Sequence, residues 1–451
     1  MAEYWHTERE ARASALGRPG FTVLRHDRSG TGERGFFYAH SHILMTDDAR
    51  LALDATMGTS EFVRLKEESD GLRELGLQLY AWAQADVTRP EQLPDLVISL
   101  QDTARANDPN GRCHVSLNYV LTGEKTTIPH GGAVHPPIPA AAVATPAFNA
   151  DLPFLAVIDT GIATGTVTGQ TGAVIASGAD EDLLLAPVAG GGSTDLGAEA
   201  GHGTFIAWLV ARMAGGGVGV AALKVLDADG FGTIDDVVEA LRRLRVDLPR
   251  QHSFPMGGAS VGVVNLSLGG YTDDSDALAP EERDAMPLGL RDAFARWFEA
   301  VPDSVVVAAA GNDGLADRPF WPAAEAISNP QIIAVGSLDA GLEPSEFSNR
   351  GDWVTVSTLG EEIHSDYPVG TYPVAPGVHE SLAGGASWSG TSFATPIVAA
   401  EIAARALGAQ VPALQAWRND LLPELAARPA VPGLGFVWDP RSKGAAFDPR
   451  I

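Results

Sequence analysis

A serine lies where a stretch of small residues meets an apolar, helix-forming run. Residues 384–400 read Gly-Gly-Ala-Ser-Trp-Ser-Gly-Thr-Ser-Phe-Ala-Thr-Pro-Ile-Val-Ala-Ala, and Ser392 comes just before the apolar run. We expect Pro396 in the first turn of the helix, where the N–H that it lacks has no intrahelical acceptor. Ser392 is therefore predicted at the amino end of a buried helix, where free N–H groups and the helix dipole favour negative charge. That position suits a nucleophile that generates an oxyanion, although an ordinary Ser/Thr cap would look the same on this stretch alone.

Three other polar residues complete a set that could do acyl transfer. Asp159 follows the apolar run Phe-Leu-Ala-Val-Ile, His202 opens a helical run between two glycines, and Asn312 follows Val-Val-Val-Ala-Ala-Ala-Gly. In such a set the serine attacks a carbonyl, the histidine takes and returns the proton, and the aspartate fixes the histidine tautomer. The asparagine amide and the serine N–H would form an oxyanion hole. Each motif alone also reads as a turn, a helix cap or a strand-ending loop, so the prediction depends on all four occurring together.

These four stretches resemble the signature blocks of the subtilisin-like serine proteases (subtilases, peptidase S8 family). The family order of aspartate, histidine, asparagine and serine is met by Asp159, His202, Asn312 and Ser392. The resemblance covers roughly residues 150–410 and implies a serine endopeptidase that works through an acyl-enzyme and requires no cofactor. The sedolisin relatives use a glutamate in place of the histidine, and His202 between its two glycines argues against them.

The resemblance also implies a groove in which an extended peptide pairs between two strands. The glycines of both expected walls would let two backbones approach closely. Strand-ending turns are the alternative reading of the same glycines. The residues expected to bind substrate are Ser267, Leu268 and Gly269 on one wall, Gly230, Phe231 and Gly232 on the other, and Ala309, Ala310 and Gly311 beside the primary specificity pocket.

The sequence departs from the family pattern at two places. After the nucleophile the family commonly has methionine and later Pro-His, whereas this chain has Phe-Ala-Thr-Pro-Ile, which predicts different packing behind the site. The segment between Thr358 and Gly384 is longer than a minimal loop and is predicted to form a rim or lid. Structural calcium is compatible with the family, but the acidic loops show no ligand pattern, so the metal sites are unknown. His40 and His42 could be metal ligands, although one exposed strand face explains them better.

Apolar strands that alternate with helices must position these residues. Unbroken apolar strands of this kind are typical of a parallel sheet covered by helices on both faces, and sites in such sheets form at the carboxyl ends of the strands. The predicted fold is therefore α/β, with a small α/β domain before it, and the resemblance implies that the main sheet is subtilisin-like. The predicted strands are 152–158, 218–226, 262–268, 304–310 and 331–338, and the predicted helices are 203–213, 234–244 and 288–300.

Composition shifts predict the domain boundaries. We expect an N-terminal α/β domain over 1–123, a Pro/Gly-rich linker over 124–150, the peptidase domain over 151–410 and a C-terminal extension over 411–451, which would pack on the core. In the first domain, 36–45, 76–85 and 114–122 read as strands and 94–106 as a helix. Many subtilases carry an inhibitory prodomain at this place, so the N-terminal domain is predicted to inhibit intramolecularly; a permanent recruiting or regulatory domain is the alternative.

Charge and cysteine content limit the partners. A formal net charge of −26 over 451 residues argues against nucleic acid and anionic membrane surfaces as partners. The resemblance to the subtilases implies a peptide or protein substrate. The chain has no run of about 18 apolar residues and no signal-like start, and its one cysteine, Cys113, fits a reducing compartment, so a cytoplasmic location is expected. Cys113 next to His114 is predicted to be a buried structural thiol, because adjacent strand residues point to opposite faces.

Two narrower alternatives stay open at this stage. One is a dedicated processing protease with a single peptide or protein target, which the long rim segment and the extra domain would suit. The other is a catalytically silent binding protein on the same fold, which would have no physical need for all four residues. Turnover of casein with mapped cleavage sites would separate a broad protease from a restricted one.

Overall fold

A parallel sheet forms the centre of the computed structural model. The model describes residues 22–28, 35–56, 61–65, 71–108, 111–123, 137–141, 154–163, 174–175, 180–182, 196–246, 262–273, 278, 288–316, 318–375, 378–427 and 429–451. The first 21 residues of the predicted N-terminal domain and most of the predicted linker lie outside these ranges.

The main sheet has the strand order β19-β14-β13-β12-β11-β7-β9-β8, and every adjacent pair is parallel. The predicted parallel sheet is therefore confirmed. Its last strand, β19, comes from the C-terminal segment that we expected only to pack on the core. The strands are β7 (Phe154–Asp159), β8 (Val174–Ile175), β9 (Gly219–Lys224), β11 (Val263–Leu266), β12 (Val305–Ala309), β13 (Ile332–Leu338), β14 (Val356–Leu359) and β19 (Phe436–Val437).

Helices cover both faces of the main sheet because alternate strand residues are apolar on both sides. On β12, Val305 and Val307 join the core beneath α3 and α6, whereas Val306 and Ala308 join the core beneath α4 and α5. The helices are α1 (Asp47–Thr56), α2 (Gln92–Ala106), α3 (His202–Met213), α4 (Ile234–Val246), α5 (Leu288–Ala300), α6 (Thr391–Ala409), α7 (Ala413–Ala416) and α8 (Leu422–Ala426), with a π-helical turn (Trp417–Leu421) between the last two.

An antiparallel N-terminal sheet precedes the main sheet. Its own helices α1 and α2 cover one face, and α4 and α5 of the main unit cover the other, so one apolar core runs through both. The order is β10-β5-β2-β4-β3, with β1 paired to β2. The strands are β1 (Val23–His26), β2 (Phe36–Thr46), β3 (Phe62–Arg64), β4 (Leu77–Trp82), β5 (Val115–Thr122) and β10 (Phe231–Thr233).

The strand β10 belongs by sequence to the main unit but extends the N-terminal sheet. It pairs antiparallel with β5, and Phe231, Gly232 and Thr233 lie opposite residues 122, 121 and 120. This pairing carries the end of the N-terminal segment across the carboxyl edge of the main sheet.

The segment before Ser392 forms two further small sheets. In the first, β15 (Ile363–Asp366), β18 (Gly385–Trp388) and β6 (Ile138–Pro139) pair antiparallel. In the second, β16 (Gly370–Ala375) and β17 (Val378–Leu382) make a hairpin whose outer strand is largely exposed. The predicted extra segment is therefore a folded hairpin at the rim of the sheet's carboxyl edge.

No single helix within the described residues is long and apolar enough to cross a membrane. The helix α6 and the helical segment Ala413–Leu425 are long and apolar enough only when they are taken together, and the chain bends by 102° between them.

Candidate active site

Asp159 and His202 form a buried pair at the carboxyl edge of the main sheet. The Nδ1 atom of His202 donates to Asp159 Oδ1 at 2.8 Å, and both side chains are fully buried. The N–H of Thr160 donates to the same Oδ1, also at 2.8 Å. Because a carboxylate only accepts, these contacts fix the proton on Nδ1 and leave Nε2 as the acceptor.

The start of α3 lies unusually close to the loop that carries Asp159. A Cβ atom on Gly203 would collide with the carbonyl oxygen of Gly161, so only glycine allows this approach. Asp182 links the loop after Asp159 to the start of α3. Its Oδ2 accepts from Thr160 Oγ1 at 2.9 Å and from the N–H of Gly201 at 2.8 Å. Sequence reasoning missed Asp182 because it lies in a short segment without any apolar pattern.

Ser392 is the second residue of α6, as predicted, but Pro396 is not in the first turn. The helix begins at Thr391, so Pro396 is its sixth residue. A proline there cannot donate to the carbonyl four residues earlier, which is that of Ser392. Ser267 Oγ donates to this carbonyl at 2.7 Å instead. The expectation for Pro396 is therefore wrong by one turn, and a side chain from the end of β11 replaces the lost hydrogen bond.

The amide of Asn312 is held by its oxygen. Asn312 Oδ1 accepts from the N–H of Thr391 at 2.8 Å and from Thr391 Oγ1 at 2.7 Å. Its Nδ2 lies toward Gly390, where an added Cβ would be 3.4 Å away. Because a backbone N–H can donate only to the oxygen of the Asn312 amide, the orientation of this amide is fixed. Its NH₂ group therefore faces the turn that leads to Ser392.

The two expected groove walls lie on either side of the end of β5. The N–H of Thr122 donates to the carbonyl of Gly269 at 2.7 Å, and the Gly269 N–H donates back to Thr122 at 2.9 Å. On the other side, the N–H of Gly123 donates to Gly230 at 3.3 Å, next to the β5–β10 pairing. The chain's own residues 120–123 thus occupy the groove as an added strand.

The hydroxyl of Ser392 contacts this occupying segment. Its Oγ lies 2.9 Å from the carbonyl oxygen of Gly123 and 3.2 Å from that of Ser267, and it can donate to one of them at a time. Among the described residues, His202 Nε2 is buried and has no hydrogen-bond partner. The Asp–His pair is therefore formed, but the serine hydroxyl is turned to the segment in the groove.

The third expected stretch, Ala309 to Gly311, ends β12 directly before Asn312. Gly311 has a φ of 97°, and its N–H donates to Thr391 Oγ1 at 3.2 Å. Its contact with Thr391 ties it to the turn that carries Ser392. The role of residues 309–311 in substrate binding stays a prediction.

Aromatic rings enclose His202 on the side away from the groove. The Trp388 ring lies 5.4 Å from the His202 ring at 87°, and the Phe393 ring also lies at 5.4 Å. Phe393 is one of the residues that depart from the family pattern, and its ring makes tilted or edge-on contacts with those of His202, Trp388 and Phe205. Sequence reasoning missed Trp388, although it lies only four residues before Ser392.

The rim hairpin supports the segment that leads into His202. Tyr372 Oη donates to the carbonyl of Ala198 at 2.7 Å, and Tyr367 Oη donates to that of Ala200. Between these two anchors lies Glu199, which is fully buried and has its Oε2 3.9 Å from His202 Nε2. Glu199 is a site residue that the sequence pattern did not reveal.

Asp227 shapes the wall formed by residues 227–231. Its Oδ1 accepts from the N–H groups of Asp229 and Phe231, both at 3.0 Å. Burial raises the pKa of Asp227 to about 6, and the charge of the nearby Asp229 raises it further. The two backbone hydrogen bonds act in the opposite direction and lower this pKa.

The described residues contain no group of three or more His, Cys, Asp or Glu side chains that could hold a metal ion. His40 and His42 are partly exposed on β2. Cys113 is buried, as predicted, and burial raises its pKa. The neighbouring His114 points elsewhere and contacts Asp292 at 2.5 Å, so the two do not form a reactive pair. The calcium expectation stays a prediction.

Two solved structures are similar to part of this chain. A prenylagaramide maturation protease, PagA, is 20% identical with a TM-score of 0.41, over 62% of this chain and 83% of that one. A cold-adapted subtilisin-like serine proteinase is 24% identical with a TM-score of 0.40, over 67% of this chain and 92% of that one.

Curated relatives match over less than half of this chain. Thermitase of Thermoactinomyces vulgaris is 34% identical over 209 residues, which are 44% of this chain and 58% of thermitase. Subtilisin DY of Bacillus licheniformis is 30% identical over 210 residues, 44% of this chain and 61% of that protein. An intracellular serine protease of Paenibacillus polymyxa is 29% identical, over 45% of this chain and 52% of its own length. The chain thus spans about three fifths of thermitase and of subtilisin DY.

The family comparison covers more of the chain. The model of the Subtilase family matches residues 152–421, which is more than half of the sequence and includes Asp159, His202, Asn312 and Ser392. Together with the parallel sheet and the Asp–His pair at its carboxyl edge, this match shows that the chain belongs to the subtilase family.

Proposed function

We propose that this chain is a serine endopeptidase in which Ser392 is the nucleophile, His202 the general base and Asp159 the residue that orients it. The observation that carries the proposal is the peptide segment in the groove. A strand of the chain itself is bound between residues 230–232 and 267–269, and its Gly123 carbonyl oxygen lies 2.9 Å from Ser392 Oγ. A groove that holds an extended peptide against a serine hydroxyl suits peptide hydrolysis.

The reaction follows from the groups around the serine. Ser392 Oγ attacks the scissile carbonyl carbon while its proton passes to His202 Nε2, and Asp159 stabilises the resulting imidazolium through Nδ1. The carbonyl oxygen becomes an oxyanion that Asn312 Nδ2 and the N–H of Ser392 stabilise. The imidazolium then protonates the leaving amine, and water, activated by the same histidine, releases the acyl group.

The geometry also supports intramolecular inhibition by the N-terminal domain. The segment that fills the groove is the continuation of β5, and the Ser392 hydroxyl contacts this segment rather than His202. A substrate can enter only after residues 120–123 leave the groove. We therefore infer that the N-terminal sheet keeps the chain latent until this segment is displaced or cut.

A restricted set of targets is a second candidate. The rim hairpin is anchored to the segment beside the groove by its own Tyr372 and by Tyr367, which lies just before it, so it forms a fixed part of the groove edge. A fixed rim admits fewer substrate shapes than an open groove. Casein turnover with mapped cleavage sites tests this, and cleavage at many unrelated sites would count against it.

Labelling with a fluorophosphonate tests the proposed chemistry. The activated serine attacks phosphorus and expels fluoride, so we expect one adduct in the full-length chain and none in Ser392→Ala. Ser442→Ala, on an exposed turn, is the matched control and should label like the parent. Intact mass recorded in parallel shows whether residues 1–123 are still attached. A folded chain that is not labelled, even after its N-terminal contacts are weakened by Asn118→Ala, would overturn the proposal.

A further inference from the structure

The side chain of Glu199 lies directly beneath the segment that fills the groove. It is fully buried, and its Oε2 is 3.9 Å from His202 Nε2. Its backbone is held on both sides, since its N–H donates to Ala228 at 2.9 Å and its carbonyl accepts from the N–H of His202 at 2.9 Å. Gly230, with a φ of 83°, makes room for it, because a Cβ there would collide with Glu199 Cγ.

Residue 123 of the bound segment faces this carboxyl group. A Cβ added to Gly123 would lie 3.3 Å from Glu199 Oε2 and 3.5 Å from His202 Cε1. A side chain at this position of any bound peptide therefore starts out against the Glu199 carboxyl. The position is defined by register: it comes two residues after the one that pairs with Gly232.

We propose that Glu199 is a specificity-determining residue and that it selects substrate chains with a basic side chain at the position occupied by Gly123. This inference rests on the proposed endopeptidase function. A cation within a few ångströms of a carboxylate is strongly favoured where water is excluded, and an acidic side chain is repelled by the same group. The neighbouring Asp229, which is also buried, and the formal net charge of −26 likewise favour a basic side chain over an acidic one.

The occupying segment does not use this feature of the groove. Glycine offers the Glu199 carboxyl no side chain, so the segment is held by its backbone hydrogen bonds and by the docking of the N-terminal sheet. A substrate with lysine or arginine at this position makes the same backbone pairing and adds the charge contact. The groove is thus built to bind a basic substrate more tightly than its own occupant.

Changing the charge at residues 123 and 199 tests the inference in the full-length chain. We compare Gly123→Lys with Gly123→Met, which has a similar length without charge, and with Gly123→Glu. Each is made with Glu199 intact and with Glu199→Gln. The readout is the rate of fluorophosphonate labelling of Ser392, which reports how often the segment leaves the groove. With Glu199, lysine should slow labelling about tenfold or more relative to methionine, and glutamate should speed it. With Glu199→Gln, the lysine and methionine rates should agree within about twofold.

Peptides added in trans provide a second measurement. Peptides spanning residues 117–127, with lysine or methionine in place of Gly123, compete with the label on the parent chain. The lysine peptide should protect Ser392 at a concentration about tenfold lower. This comparison needs no variant of Glu199, so a missing preference for lysine would overturn the inference even if Glu199→Gln fails to fold.

The outcomes separate the two levels of the proposal. Labelling that does not distinguish lysine from methionine, in the chain or in trans, overturns the role of Glu199 and leaves the endopeptidase proposal standing. A lysine effect that persists in Glu199→Gln also overturns it, since the cation would then be bound by another group. Absence of labelling in every folded variant overturns the endopeptidase proposal and this inference with it.

Discussion

Asn312 gives its two amide atoms different surroundings. The oxygen accepts two hydrogen bonds from Thr391, and the nitrogen faces the turn before Ser392. An amide held by its oxygen presents its N–H donors without paying for reorganisation when charge develops. The residue is therefore suited to act on the transition state and not on the bound substrate.

Asn312→Ala should lower kcat by about 10²–10³-fold with little change in KM, which is the scale known for one oxyanion-hole donor in subtilisin, a relative. Steady-state kinetics on a cleaved peptide measures both values. Asn107→Ala, on the exposed end of α2, is the matched control. A loss that appears only in KM would mean that Asn312 binds the ground state.

Asp227 should make stability depend on pH. Its pKa is raised from 3.8 to about 6 in the fold, so its proton is lost more readily in the unfolded chain. The stability it contributes is therefore fully present below pH 3.8 and is lost as the pH rises through about 6, by up to about 3 kcal/mol. Asp227→Asn keeps an oxygen that accepts from Asp229 and Phe231 but removes the titration. Urea unfolding should show that the stability of Asp227→Asn, relative to the parent, is higher at pH 7 than at pH 4, because only the parent loses stability as the pH rises. An equal difference at both pH values would contradict this.

The polar residues that end apolar strands could be found from sequence, whereas those in patternless segments could not. Asp159 ends β7 and Asn312 follows β12, and the apolar run of each strand marks where it stops. Glu199 lies in Leu-Gly-Ala-Glu-Ala-Gly, which has neither helical nor strand periodicity. Its position follows from contacts with the hairpin and with residue 228, which are distant in sequence.

At the scale of elements, α6 contains a proline where a helix loses stability. The donor that replaces the missing N–H, Ser267 Oγ, comes from the end of β11, so helix and sheet are joined at Ser392. Sequence reasoning placed Pro396 one turn too early because the helix start has no side-chain cap to mark it.

Ser267→Ala should cost about 1–3 kcal/mol of stability because it leaves the buried Ser392 carbonyl without a donor. In a Pro396→Ala background, the new N–H can reach that carbonyl, so the same substitution should cost about 1 kcal/mol less. Urea unfolding of the four chains gives the coupling. Additive effects would show that the two donors do not serve the same carbonyl.

Gly203→Ala should separate α3 from the loop of Asp159, because the added methyl group meets the carbonyl of Gly161. We expect the labelling rate of Ser392 to fall about tenfold or more as the Asp–His hydrogen bond lengthens. Gly217→Ala, just after the same helix, is the control, since its Cβ would lie 3.5 Å from the carbonyl of Ala214. Equal labelling rates in both variants would mean that the close approach is dispensable.

At the scale of the whole molecule, the N-terminal sheet and the main unit share one apolar core and a buried polar contact. Asn118 Nδ2 on β5 donates to Asp235 Oδ1 on α4 at 2.7 Å. The local sequence patterns predicted the strand that contains Asn118 and the helix that contains Asp235. They could not predict the contact between them, because the two residues are 117 positions apart.

Asn118→Ala should weaken the docking of β5 and thereby free the groove. Losing a buried hydrogen bond to a carboxylate costs about 1–3 kcal/mol, so we expect the labelling of Ser392 to rise about five- to a hundredfold. Hydrogen exchange of β10 should rise in parallel. Faster exchange without faster labelling would show that the docked sheet does not control access to Ser392.

The pairing of β5 with β10 also sets a threshold for any competitor. Because the occupying strand is covalently linked to the groove that it fills, it competes as if present at millimolar concentration, although it gains nothing from its glycine. A free peptide of identical sequence would therefore have to reach that concentration to take its place. Once the chain is cut after the strand, the same contact becomes bimolecular, and dilution alone would favour release. The covalent link would thus add to the docking of the N-terminal sheet in keeping the groove closed.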